Sequence, residues 1–349
     1  MEETTKKKLG GHIMRLIAQA EWRNSNATEE TAPAPRTQEH ATAARQGKQS
    51  MTLHKSIAGN EGLATAHVKA PAPESGVNNR YSRNFIPKLQ LNDLLDVKLP
   101  IDHGASIEET KSVIMQIRKP IDENRIKDFV GGERFRDWLI SDSSDALVVN
   151  NCSVNLSPGA DGVSLLTELI LLLYEQLSKD EEAFTIMHLC AKQPANNDKM
   201  TTMQRMIRYM TSELYGYDRD HWKRQDFVLK FSKGIRRYNP RNNKSDEEAH
   251  LIIDLFMDML PKAQKGQVIY ILIDGFDFIE KDQSVVNRRN VWQFFECLYD
   301  SIRDLQNSDE SNPVIKVMIT YHKTCPENTR DYWGEFVADL PQPPKAARR

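Results

Sequence analysis

A sequence of 349 residues with 39% hydrophobic content is long enough for a sizeable core and, by length alone, for one to three domains. Its formal net charge of -2 and pI near 6.5 remove any global attraction to nucleic acid or to an anionic membrane, so a nucleic-acid role is not expected. Cys152, Cys190, Cys297 and Cys325 never come as a close pair, which argues against a disulfide framework or a zinc ribbon, and no run of 18 apolar residues or apolar signal core is present. A cytoplasmic protein with reduced thiols and no transmembrane segment is the expectation.

Residues 1–80 read as a tail. Leu9, Ile13, Leu16 and Ile17 share a helical face flanked by Lys6, Lys7, Lys8 and Arg15, a pattern suited to a membrane surface or a partner groove. From 24 to 80 the chain is rich in Ala, Thr, Asn, Pro, Gln and Gly, too poor in aliphatic surface to offset backbone ordering at roughly 1 to 2 kcal/mol per residue, and disorder is expected. Residues 81–124 read as a helical arm, with Leu89, Leu91, Leu94, Leu95 and Leu99 before Pro100 and a helical pattern over Ile107–Ile117 that Pro120 interrupts.

The next boundary, at about residue 125, opens a domain predicted to run to 325, with 326–349 as a C-terminal extension. Phe129, Phe135, Trp138 and Leu139 form an apolar face leading into a short buried strand over Ala146–Val149. A loop, NNCSVNLSPGADG, then gives way to a helix over Val163–Leu177 that is nearly apolar all round in its first half. Further strands are predicted at Phe184–Cys190, Val268–Ile273 and Val314–Ile319, and helices at the methionine-rich segment around Met203–Met210, at about 246–260 and at Val291–Leu305. Strands alternating with helices imply a mostly parallel sheet covered on both sides, a three-layer α/β fold.

Ligands of such sheets gather beyond the carboxyl ends of the strands, and three segments put polar residues there. In SPGADGVS, Gly159 and Gly162 permit tight turns whose N–H groups face a phosphate, and Ser164 sits where a hydroxyl reaches magnesium. In VIYILIDGFD, Asp274 ends a hydrophobic strand, where an acid is costly unless it is paired, hydrated or bound to a cation, so Asp274 is the magnesium-side residue with Ser164. Asp277 is the candidate to orient or deprotonate an attacking water, with Glu280 as a weaker one that also suits a helix cap. In VIKVMITYHK, Thr320 and His322 close a strand near the same edge. His188 and Cys190 share a strand face without a third ligand and read as core residues, not a metal site.

Taken together, DALVVNNCSVNLSPGADGVSLL, YILIDGFD and KVMITYHK resemble the nucleotide-binding domain of signal-transducing P-loop NTPases of the NACHT (STAND) type, most closely divergent fungal members. FRDWLISD resembles the aromatic segment that precedes their first strand, and the resemblance spans about residues 85–325. It implies that Gly159, Gly162 and Ser164 belong to a Walker A loop, Asp274 and Asp277 to the Walker B acids, and Thr320 with His322 to the sensor strand. It also implies a nucleotide-controlled switch that self-associates.

Three departures shift that expectation. Val163 stands where the family has its phosphate-binding lysine, the leading glycine is missing, and no winged-helix region or repeat array follows. The expected function is therefore a degenerate scaffold or regulatory protein that acts through a protein partner, with no or weak Mg-ATP or Mg-GTP binding and no or very weak NTPase activity. The alternative is a magnesium-dependent NTPase using Asp274 and Asp277, with Lys192, Arg205 or Arg208 replacing the lysine. Val163 itself is expected in the packing between the first helix and the sheet.

Overall fold

A computed structural model describes residues 95, 103–117, 120–151, 162–192, 201–217, 222, 246–307 and 312–341, a few helical residues by backbone alone. The helix predicted near the N-terminus, the tail to residue 80, Gly159 and most of the loop before it lie outside the described residues. The boundary predicted at 125 falls within a helix, and the one at 325 falls before a strand of the sheet.

In chain order the elements are α1 (His103–Ile117), α2 (Pro120–Gly131), α3 (Glu133–Ile140), β1 (Asp145–Asn150), α4 (Leu165–Leu177), β2 (Ala183–Leu189), α5 (Thr202–Tyr217) and α6 (Asp246–Met259). They continue with β3 (Val268–Asp274), α7 (Asp277–Glu280), α8 (Val285–Gln306), β4 (Val314–Tyr321), α9 (Glu327–Trp333) and β5 (Val337–Asp339). The five strands form one sheet in the order β2-β3-β4-β1-β5, and each neighbouring pair is parallel.

Alternation along the strands divides the core. Ala146, Val148, Ile269, Ile271, Ile273, Ile315, Val317 and Ile319 point to one face, under α5, α6 and α8, and Leu147, Val149, Val268, Tyr270, Leu272 and Met318 point to the other, under α4. Strands buried on both faces read as continuous apolar runs, which is why β1, β3 and β4 are visible in the sequence. Fully burying one such side chain stabilises the fold by about 1.5 to 3 kcal/mol.

The arm is part of the α4 layer: α1 and α2 pack on α4, and α3 packs on β1. Arg134 donates two hydrogen bonds to the carboxylate of Asp145, at 2.7 and 2.9 Å, and Trp138 Nε1 donates to the Val317 carbonyl at 3.0 Å. These contacts pin α3 to the first and fourth strands.

Beside α9, which falls in the segment read as a C-terminal extension, β5 and the start of α8 differ from the sequence reading. β5 lies beside β1 at the sheet edge, pairing Val148 with Val337 and Asn150 with Asp339, so the domain extends past residue 325. Three residues are too few to show a period, and their edge position removes the apolar run that marks a central strand. α8 begins at Val285, well over a turn before the predicted start at Val291, because Ser284 caps it by accepting from Asn287 N at 3.2 Å. Its first inward positions are the buried polar residues Asn287 and Asn290, which hide the apolar period there. No helix among the described residues is long and apolar enough to cross a membrane.

Candidate functional site

The sheet order creates a place for a site. The chain leaves β1 toward β2 at one edge of the sheet and leaves β4 toward β5 at the other, so β1 and β4 are neighbours whose outgoing connections part. Crevices form at such points beyond the carboxyl ends of the strands. Asn151 follows β1, Asp274 ends β3, and Thr320, Tyr321 and His322 end or follow β4.

Asp274 is the hub. Its side chain is almost wholly buried, and both carboxylate oxygens are engaged: Thr320 Oγ1 donates to Oδ1 at 2.8 Å, Thr167 Oγ1 donates to Oδ2 at 2.7 Å, and His322 Nε2 lies 2.9 Å from Oδ1. Thr320 Oγ1 also accepts from Gly275 N at 3.0 Å. A buried carboxylate is tolerated only with such partners.

The sequence placed Ser164 in this corner as a metal-side hydroxyl. Ser164 Oγ instead accepts from Leu166 N and Thr167 N, capping α4, while Thr167 Oγ1 accepts from Ser164 N at 3.0 Å. The hydroxyl that meets Asp274 therefore belongs to Thr167, one turn inside the helix. The spacing Ser164-x-x-Thr167 is the available signal for it, because a reciprocal cap fixes both side chains at the helix entry.

Gly162 brings the chain into α4 at φ 68°, with Ala191 and Phe278 closing over its α-carbon. Val163 lies in the core on the α4 side of the sheet, 1% exposed, as the apolar run that follows it suggested. Among the other candidate cations, Arg208 donates to the Leu95 carbonyl at 2.6 Å, on the α5 side of the fold.

Asp277 opens α7 and folds back on β4: its Oδ1 accepts from His322 N at 3.0 Å, and its buried Oδ2 has no hydrogen-bond partner among the described residues. The His322 carbonyl accepts from Asn151 Nδ2 at 2.9 Å, and Arg125 donates to both oxygens of Asn151. Thus β1, β3 and β4 are tied at one end by Asn151, Asp274, Asp277, Thr320 and His322. Asn151 and Arg125 escaped the sequence reading because an asparagine in a loop and an arginine in a helix carry no periodic signal. His188 packs its ring 5.5 Å from Tyr209, and Cys190 is buried near Asp274 and Asp277, whose charges add to burial in pushing the thiol well up and keeping it protonated.

Burial works against a charged His322, but the charge of Asp274, its hydrogen bond and the charge of Asp277 outweigh burial and raise the imidazole above its usual value. Glu280, at the end of α7, accepts from Tyr321 Oη at 3.1 Å, and burial, with Asp277 adding to it, pushes its carboxyl up to about 7. In the folded state Glu280 therefore keeps a proton that the unfolded chain releases near 4.5. Stability from this group is complete below pH 4.5 and is lost as pH rises through about 7. The loss amounts to roughly 3 kcal/mol at most, at about 1.36 kcal/mol per pH unit. Urea melts at pH 5 and pH 8 should show this fall, to which the raised imidazole of His322 adds, and Glu280→Gln should reduce it; an equal slope in that variant would remove Glu280 as a cause.

The described residues offer magnesium a poor fit. Asp274 has no oxygen without a protein partner, and no group of three or more His, Cys, Asp or Glu among the described residues is arranged to hold a metal ion. Comparison of the chain with protein-family models, with curated proteins and with solved structures gives no match.

Proposed function

We propose that this chain is a degenerate P-loop-like domain of NACHT type, related to divergent fungal members, that works as a scaffold or regulator through protein contacts, including self-association, and binds magnesium nucleotide weakly or not at all. One observation carries the reading: the carboxylate of Asp274, the residue that should face magnesium, is buried and satisfied by Thr167, Thr320 and His322. A ligand entering there meets an acid whose two oxygens are already shared among three protein partners, and each such bond it displaces costs about 1.5 to 3 kcal/mol. The P-loop relationship is supported by the order of the three segments and by the meeting of their described parts, from Gly162 onward in the first loop, where the connections of β1 and β4 diverge.

The absence of a lysine beside Gly162 points the same way, since Val163 has neither charge nor donor and serves the core. Calorimetric titration of the full chain with Mg-ATP, Mg-ADP and Mg-GTP should give no saturable heat. Submicromolar binding with steady phosphate release would overturn the reading and reinstate an NTPase using Asp274 and Asp277.

Restoring the missing cation should not restore binding. Val163→Lys puts an ammonium into the packing under α4, and we expect a loss of roughly 1 to 3 kcal/mol in a denaturant melt with little or no gain of nucleotide affinity. Low-micromolar Mg-ATP binding without loss of stability would mean that the loop needed only its lysine.

A further inference from the structure

We propose that the His322 side chain is an internal plug, seated against Asp274 where a magnesium ion would have to bind, and that removing it converts this corner into a site for a hard divalent cation. The inference rests on the proposed function and names the residue that enforces it. His322 Nε2 is 2.9 Å from Asp274 Oδ1 and 3.5 Å from Thr167 Oγ1. One ring nitrogen thus faces both the carboxylate and the hydroxyl, the two oxygen groups that a magnesium ion takes at a strand end and a helix entry.

The ring is held by its neighbours and by its backbone, although its buried Nδ1 has no hydrogen-bond partner among the described residues. Gly275, at φ 68°, has no side chain, and a Cβ built on it would come 3.0 Å from Cε1 and 3.3 Å from Nδ1 of His322. The Phe278 ring stands edge-on, its centroid 5.8 Å from that of the imidazole. The backbone that delivers the ring is fixed as well, with His322 N donating to Asp277 and its carbonyl accepting from Asn151. A ring anchored at its backbone and packed between a bare glycine and an aromatic edge does not swing aside at low cost. Thr167 and Thr320 remain on Asp274 when the ring is removed, and a threonine hydroxyl that donates to a carboxylate keeps lone pairs with which to face a cation.

Manganese(II), titrated alone into the full chain and followed by the paramagnetic resonance of the free ion, tests the plug. Wild type should show no saturable site, whereas His322→Ala, or His322→Ser where the alanine variant does not fold, should bind at least about tenfold more tightly. Adding Asp274→Asn to either variant should abolish the gain. Equal binding by wild type and a folded His322 variant, whether present or absent, overturns the plug. If neither variant folds, wild type alone decides: the Nε2 proton signal of His322 should survive millimolar manganese, and saturable broadening of it overturns the proposal. Failure of this test while wild type still binds no nucleotide strikes the plug and leaves the proposed function standing. Nucleotide binding by wild type strikes the proposed function itself.

Discussion

Asp274→Ala is expected to destabilise the fold by about 3 to 5 kcal/mol, the cost of removing one partner from a buried charged network. The substitution leaves Thr167 Oγ1, Thr320 Oγ1 and His322 Nε2 without their shared acceptor in a region closed to water, and it opens a gap between β3, β4 and α4. Asp274→Asn keeps the volume and one acceptor oxygen, so its loss should be smaller, because the amide can still donate to a threonine hydroxyl. Urea melts of the two variants beside wild type measure both. A residue reserved for a metal should behave in the opposite way, since its removal relieves an unpaired acid; a neutral or stabilising Asp274→Ala would mean that the hydrogen bonds to Asp274 do not hold the strand ends together.

The second large effect is expected at Gly162. A side chain there meets two obstacles: the residue adopts φ 68°, and a Cβ would lie 2.5 Å from the Ala191 Cβ and 2.7 Å from Cζ of Phe278. The left-handed conformation costs a non-glycine residue about 1 to 2 kcal/mol, and forcing an extra methyl into a packed site costs about 1 to 3 kcal/mol more. Gly162→Ala should therefore lose about 2 to 5 kcal/mol in a denaturant melt, far beyond Gly266→Ala, a control at φ 75° whose Cβ meets nothing within 4 Å. Equal losses in the two variants would show that backbone strain, not the closure of Ala191 and Phe278, is what fixes glycine at 162. That closure also shapes the corner, because Phe278 touches both Gly162 and the His322 ring.

How much of this was legible in the sequence follows from where each residue's information lies. β1, β3 and β4 are buried on both faces and announce themselves as apolar runs, and α4 as an apolar helix; Asp274 stands out because an acid closes such a run. Thr320 and His322 were placed at the strand end by the same logic, and they meet Asp274 there. What could not be read is the direction in which short polar side chains turn. Ser164 and Thr167 are one helical turn apart and chemically alike, so only the geometry of the cap decides that Ser164 faces the helix N–H groups and Thr167 faces Asp274. β5 and the first turns of α8 were missed because an edge strand of three residues and a helix face of buried asparagines carry no hydrophobic period. Gly159 lies outside the described residues.

Ligand-linked stability tests the central claim, that Asp274 is satisfied from within and leaves magnesium nucleotide no place. Anything that binds the folded chain alone stabilises it by mass action, by about 4.1 kcal/mol when its concentration is a thousandfold above Kd. Urea melts of the full chain at neutral pH, with and without millimolar Mg-ATP, should superimpose. A midpoint that rises with Mg-ATP concentration, and returns to its starting value in Asp274→Asn, would contradict it.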